Sequence, residues 1–140
     1  MPAGNALLSS YGGRCPRDRT PILFDPWKPS AHRCPTCGET ATGARHDRHW
    51  ARSQHLWLAE RAAHLATVGV LAGDDACIAG ARDILVAYPE VYFNLPNRDN
   101  VLGPTRLFFS TYLESMWLLN YLSAAMFLRE GGALSDAEAD

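Results

Sequence analysis

"TRLFFSTYLESMWLLNYLSAAMFL" (Thr105–Leu128) decides how this chain is read. Leu107, Phe108, Thr111, Tyr112, Ser115, Leu118, Leu119, Leu122 and Met126 recur at helical spacing, and Gly131-Gly132 stops the pattern. Before it, Ala76–Tyr88 reads as a second helix ended by Pro89, because proline has no N–H to continue the ladder. Earlier still, Trp50, His55, Leu56, Leu58, Ala59, Ala62, Ala63, Leu65, Ala66 and Val70 mark a helix running from about Asp47. Gly73 closes that helix and Asp74-Asp75 opens the next, with acids at its positive end. In the terminal "LSDAEAD", Ser135 and Glu138 have the spacing of a capping box that starts a fourth helix. No strands alternate with these helices and no glycine-rich phosphate loop is present. The pattern implies an all-α class packed as antiparallel helix hairpins. Leu56, Ala63, Ile84, Phe108, Tyr112, Leu119 and Leu122 are expected to be buried.

Residues 1–45 have a different texture, rich in Pro, Gly, Arg and Thr, with short strands expected near Ile22–Phe24 and Thr40–Thr42. They form a loop-rich, zinc-ribbon-like module ahead of a helical part, 46–140. The module contains "HRCPTCGE", in which Cys34-x-x-Cys37-Gly38 can aim two thiolates at one tetrahedral zinc. Upstream, "GRCPRDRTP" copies the first half at Cys15-Pro16 but carries Asp18 where the second thiol would stand. Cys15, Cys34 and Cys37 are therefore the candidate structural zinc ligands, with Asp18, His32 or His46 in fourth place. A metal-free relic and a redox-active thiol set are the alternatives.

The chain has 140 residues, 47% of them apolar, enough for a core, and a formal charge of −2. That balance gives no global attraction to nucleic acid or to an anionic membrane. No run of about 20 apolar residues exists to span a bilayer. No secretory leader is visible either. With thiols suited to a reducing compartment, these features point to the cytoplasm; a periplasmic site stays open if the N-terminus is incomplete. His55, set among Leu and Trp, reads as a hydrogen-bonded core histidine. Trp50, Trp57, Tyr112, Trp117 and Tyr121 suit either a sugar-stacking platform or a core.

Between the second and third helices, "NLPNRDNVLGP" (Asn94–Pro104) holds Asn97, Arg98, Asp99 and Asn100 in a loop fenced by two prolines, followed by Arg106. Guanidinium groups suit carboxylates and amides suit hydroxyls, so Asn97, Arg98, Asn100 and Arg106, with Tyr112 as a ring-facing wall, make a candidate site for an acidic sugar. Asx turns and helix caps would use the same residues structurally.

"YFNLPNRDNVLGPTRLFFSTYLESMWLLNY" (Tyr92–Tyr121) resembles the N-terminal helical region of heparinase II/III-like polysaccharide lyases, which include oligoalginate lyases. "FDPWKPSAHRCPTCGE" (Phe24–Glu39) and "RHDRHWARSQHLWLAERA" (Arg45–Ala62) resemble the segment preceding it in some of them. The resemblance implies the start of an incomplete (α/α) toroid, followed in such proteins by antiparallel β-sheets. It implies cleavage of uronic-acid polymers by β-elimination, with catalytic Asn, His, Tyr or Arg residues mostly beyond this stretch. On that reading the chain is an N-terminal fragment, inactive alone, whose partners are an acidic polysaccharide and the remaining regions of the same protein. A non-catalytic helical module that binds carbohydrate or protein is the alternative; nucleic acid and membrane are not expected partners.

Overall fold

The computed structural model describes residues 1–2, 4–99, 103–135 and 138. Among them are two short strands, β1 (His32–Arg33) and β2 (Thr40–Ala41), and three helices, α1 (Ala44–Ala72), α2 (Asp75–Asn94) and α3 (Thr111–Glu130). The chain is thus mostly helical, with one tiny antiparallel hairpin in which His32 pairs with Ala41 and Arg33 with Thr40. The strand expected at Ile22–Phe24 does not form. Instead Arg14 and Pro21 make an isolated bridge just before it. The chain divides into two compact units: residues 1–55 with 97–111, and residues 56–96 with 112–140.

In the first unit, a small core of Cys15, Ile22, Cys34 and Ala41 packs against Cys37 and Trp50. Elsewhere in the unit, Leu107 and Phe108 are fully buried. His55 is fully buried too, with its ring edge-on to Phe108 at 5.9 Å and its Nε2 3.3 Å from the Gly4 carbonyl. It is the core histidine that its apolar neighbours predict, and burial pulls its pKa down to about 4.

The second unit is built on small residues. Ala62, Ala66, Ala81 and Ala124 let the helices approach closely, and Leu85, Leu128 and Leu134 fill the layer. Between α1 and α2, Gly73 takes a left-handed φ of 69° and the Asp74 carboxylate accepts from the Ala76 and Cys77 amides, as the sequence predicts. Gly69 is required nearby: a Cβ there would sit 2.9 Å from the Ile78 backbone nitrogen. Half of the expected capping box is present: the Ser135 amide donates to Glu138 Oε2 at 3.1 Å, while the Ser135 hydroxyl donates to the same oxygen at 2.6 Å and the Glu138 amide donates to the Ser135 carbonyl. The rest of the fourth-helix expectation falls on 136, 137, 139 and 140, outside the described residues.

Three sequence expectations are corrected. First, α2 does not stop at Pro89 but continues to Asn94. A proline inside a helix orphans the carbonyl four residues back, here Leu85. The Tyr121 hydroxyl donates to that carbonyl at 2.9 Å and satisfies it. Tyr121→Phe is therefore expected to cost about 1–3 kcal/mol, read as a lower urea midpoint, because the Leu85 carbonyl is then left buried and unpaired.

Second, α3 begins at Thr111 rather than Thr105. Thr105 instead exchanges backbone bonds with Arg98, both 2.8 Å, and its hydroxyl donates to the Phe108 carbonyl at 2.7 Å. Third, the buried line of α3 is Glu114, Trp117, Ala124 and Leu128. Tyr112, Leu119 and Leu122, expected in the core, are 65%, 69% and 49% exposed. Leu56, Ala63 and Ile84 are half-buried. Glu114 sits on the buried side because the Tyr92 hydroxyl donates to it at 2.9 Å. Trp117 is core rather than a sugar platform: its ring stacks on Tyr92 at 5.7 Å and on Tyr121 at 5.1 Å.

Candidate metal centre

Cys34–Glu39 forms a tight turn at the tip of the β1–β2 hairpin. The Cys34 amide donates to the Glu39 carbonyl (2.8 Å), and the Gly38 amide donates back to the Cys34 carbonyl (3.1 Å). Gly38 takes a left-handed φ of 74°, where a side chain would be strained. Residues 15–20 repeat this construction bond for bond. The Cys15 amide donates to the Thr20 carbonyl (2.9 Å), and the Arg19 amide donates to the Cys15 carbonyl (3.0 Å). Arg19 has a φ of 65° and is the one described non-glycine residue with positive φ. Asp18 thus occupies the place that Cys37 holds in the second turn. The sequence gives the repeat away at Cys-Pro, but the equivalence of Asp18 and Cys37 rests on these bonds.

The two turns face each other through their ligand atoms. The donor atoms of Cys15, Asp18, Cys34 and Cys37 all lie within 4.8 Å of one another. Cys15 Sγ and Cys37 Sγ are 3.5 Å apart, and Cys34 Sγ lies 3.6 and 3.7 Å from the two Asp18 oxygens. Tetrahedral zinc, with Zn–S of about 2.3 Å and Zn–O of about 2.0 Å, has S···S edges of roughly 3.8 Å and S···O edges of roughly 3.5 Å. The four residues therefore fit a metal ion. Cys15 and Cys34 are buried, Cys37 is half-buried and Asp18 is exposed, so the carboxylate forms the solvent side of the cluster.

The electrostatics match. The Thr20 amide, donating to Asp18 at 2.9 Å, holds its carboxyl well below the usual carboxylate range. The Cys37 amide, helped by that of Thr36, lowers the Cys34 thiol against the upward push of burial. At Cys37 the Glu39 amide acts downward. Loss of water and crowding by Cys15, Cys34 and Asp18 outweigh it and push the thiol up to about 12. A divalent cation among these groups relieves such crowding by replacing protons. The two histidines considered for fourth place are used elsewhere. His32 is 2.9 Å from an Asp47 oxygen, and His46 Nδ1 donates to the Gly12 carbonyl at 2.7 Å.

The candidate sugar-binding residues are placed as follows. Asn97, Arg98 and Arg106 lie in the first unit, in a loop closed by the Arg98–Thr105 bridge. Asn97 is exposed, whereas Arg98 and Arg106 are half-buried. Asn100 lies outside the described residues. Tyr112 is exposed at the start of α3 and belongs to the second unit. One residue was missed from the sequence: Arg48, which donates to the Asn5 carbonyl at 3.2 Å and to the Asn5 side chain. Burial, and then the like charge of Arg98, lower its pKa. No short motif marks it; only its helical position beside the folded loop reveals it. Among the described residues, no helix is long and apolar enough to cross a membrane. No family model, curated protein or solved structure matches the chain.

Proposed function

We propose that this chain is the substrate-binding portion of a heparinase II/III-like lyase acting on uronic-acid polysaccharides. On this reading its helices begin an incomplete (α/α) toroid and its N-terminal module is fastened by a structural zinc ion. The observation that carries the binding role is the bridged loop, which has Arg98 and Arg106 along it and Arg48 close enough to feel the charge of Arg98. Guanidinium groups take carboxylates in bidentate fashion, and two backbone bonds between Arg98 and Thr105 hold together the ends of the loop, where Arg98 and Arg106 lie. The family resemblance supplies the reaction class. β-Elimination needs a neutraliser for the uronate carboxylate as well as a base and an acid. Arginines of this loop suit carboxylate binding, and no residue of the chain is assigned as base or acid. Zinc held by three thiolates and a carboxylate would supply folding free energy rather than Lewis-acid chemistry.

Calorimetric titration with alginate and glycosaminoglycan oligosaccharides tests the loop. Arg98→Ala is expected to weaken binding by about tenfold or more, the value of a charge-assisted pair. The absorbance of unsaturated uronate product is expected to stay at background, because the chain binds without cleaving. Unchanged affinity in Arg98→Ala would remove the loop from the binding site, and steady product formation would show that a catalytic set is present after all.

A further inference from the structure

The formal charge of −2 conceals a strong division. The first unit carries ten of the thirteen Lys and Arg residues but five of the fifteen Asp and Glu, a formal +5. The second unit carries the remainder, a formal −7. Much of the positive charge is uncompensated. Among the described residues, Arg14, Arg17, Arg19, Arg33 and Arg45 are all exposed, and none has a carboxylate within ion-pair reach.

Two of them gather around one ring. Tyr11 is 56% exposed; the Arg45 guanidinium lies over it at 5.2 Å from the centroid and that of Arg19 at 5.7 Å. Arg14 joins them by donating to the Arg19 carbonyl at 3.1 Å. Arg14 also lines a broad, mostly apolar hollow of about 660 Å³ with Leu8, Ser9, Ser10, Pro21 and His49. Arg19 is the residue held at left-handed φ in the first turn, where the second turn uses glycine. A side chain kept at such a position costs conformational energy that glycine would avoid, an outlier that prompts a functional reading.

We propose that Tyr11, Arg14, Arg19 and Arg45 form a second docking surface for an anionic polysaccharide, separate in sequence from the Arg98 loop. It rests on the uronic-acid reading above for the identity of the ligand. Charge complementarity commits the patch to an anionic chain, and planar guanidinium groups take carboxylates in bidentate fashion; a nucleic acid is the competing outcome that the poly(U) arm of the test reads. The turn that carries the candidate ligand Cys15 also places Arg19, since the Arg19 amide donates to the Cys15 carbonyl at 3.0 Å.

The test is titration of the full chain with alginate oligosaccharide, neutral dextran and poly(U) RNA, in low and moderate salt. Arg19→Gly suits the backbone at this position, so its melting point is expected to hold or rise while alginate affinity falls. Arg45→Gln is expected to lower the affinity similarly, each by roughly three- to tenfold as for one lost charged contact. Dextran is expected not to bind. Wild-type affinity for alginate in both variants would overturn the inference. So would tighter binding of poly(U) that both variants weaken, which would make the surface a nucleic-acid site. Arg98→Ala, run in parallel, separates the two readings. If it alone weakens alginate binding, the patch fails and the loop stands. If only Arg19→Gly and Arg45→Gln do so, the loop fails and the patch stands.

Discussion

Cys34→Ser is expected to unfold most of the N-terminal module, and a strong zinc chelator is expected to do the same to the unmodified protein. The reason is the size of what remains. The core around the cluster consists of Cys15, Ile22, Cys34 and Ala41 with Cys37 and Trp50 against it, and three of those six are the candidate ligands. So little apolar surface cannot hold two turns and a two-residue hairpin. Structural zinc in comparable small modules contributes about 10–16 kcal/mol of apparent binding free energy at neutral pH, and that energy is folding energy. Elemental analysis of protein purified without chelator should find one zinc per chain. The Trp50 contribution to the near-ultraviolet dichroism, read as the difference from a Trp50→Phe variant, should be lost on chelation. Cys77→Ser, which alters a thiol outside the cluster, should leave both signals intact. Asp18→Cys should strengthen retention against a competing chelator, since thiolate suits zinc better than carboxylate. A chain without stoichiometric metal, whose Cys34→Ser variant melts like the parent, would mean that the two turns are a relic.

The second large effect is on pH. His55 titrates near 6.5 when unfolded and at about 4 when folded, because burial excludes its charged form. Between those values the unfolded chain binds the extra proton, so stability is complete above about pH 6.5 and declines as pH falls toward 4. A shift of that size is worth about 3 kcal/mol across the window. Urea midpoints at intervals from pH 7.5 to 4 should trace the decline, and the His55 ring protons should titrate near pH 4 by NMR. A His55 resonance titrating at 6.5, or a flat midpoint, would show that the ring is not held neutral in the core.

The parts of the fold written in local spacing were legible. The Cys34–Gly38 turn and the Gly73-Asp74 junction each depend on residues a few positions apart, and each forms; the Ser135–Glu138 pair makes half of its box. The misreadings share a cause in long-range compensation. Pro89 marks a stop by every local rule, yet the Tyr121 hydroxyl, 36 residues on from the Leu85 carbonyl that Pro89 orphans, satisfies that carbonyl. Thr105 lies in a helical pattern, but pairing with Arg98 holds it extended. On α3 apolar residues lie all around the helix. Periodicity therefore could not choose between the Trp117 side and the Leu119 side, and the Tyr92–Glu114 bond pins the former. Within the candidate metal site, three thiols were readable, whereas choosing Asp18 over His32 or His46 required knowing what each histidine already bonds. Tyr11 and its arginines carry no motif, since Arg45 is far from Arg19 in sequence.

The uneven charge has a practical consequence at the chromatography bench. An isoelectric point near 6.2 advises an anion exchanger at neutral pH and predicts flow-through on a cation exchanger. A resin, however, responds to local charge, here +5 in one unit and −7 in the other, rather than to the sum over the molecule. Retention on both media at pH 7 is the natural behaviour of this chain. The cation-exchange peak should move to earlier elution in Arg19→Gly and Arg45→Gln, while the anion-exchange peak should move little.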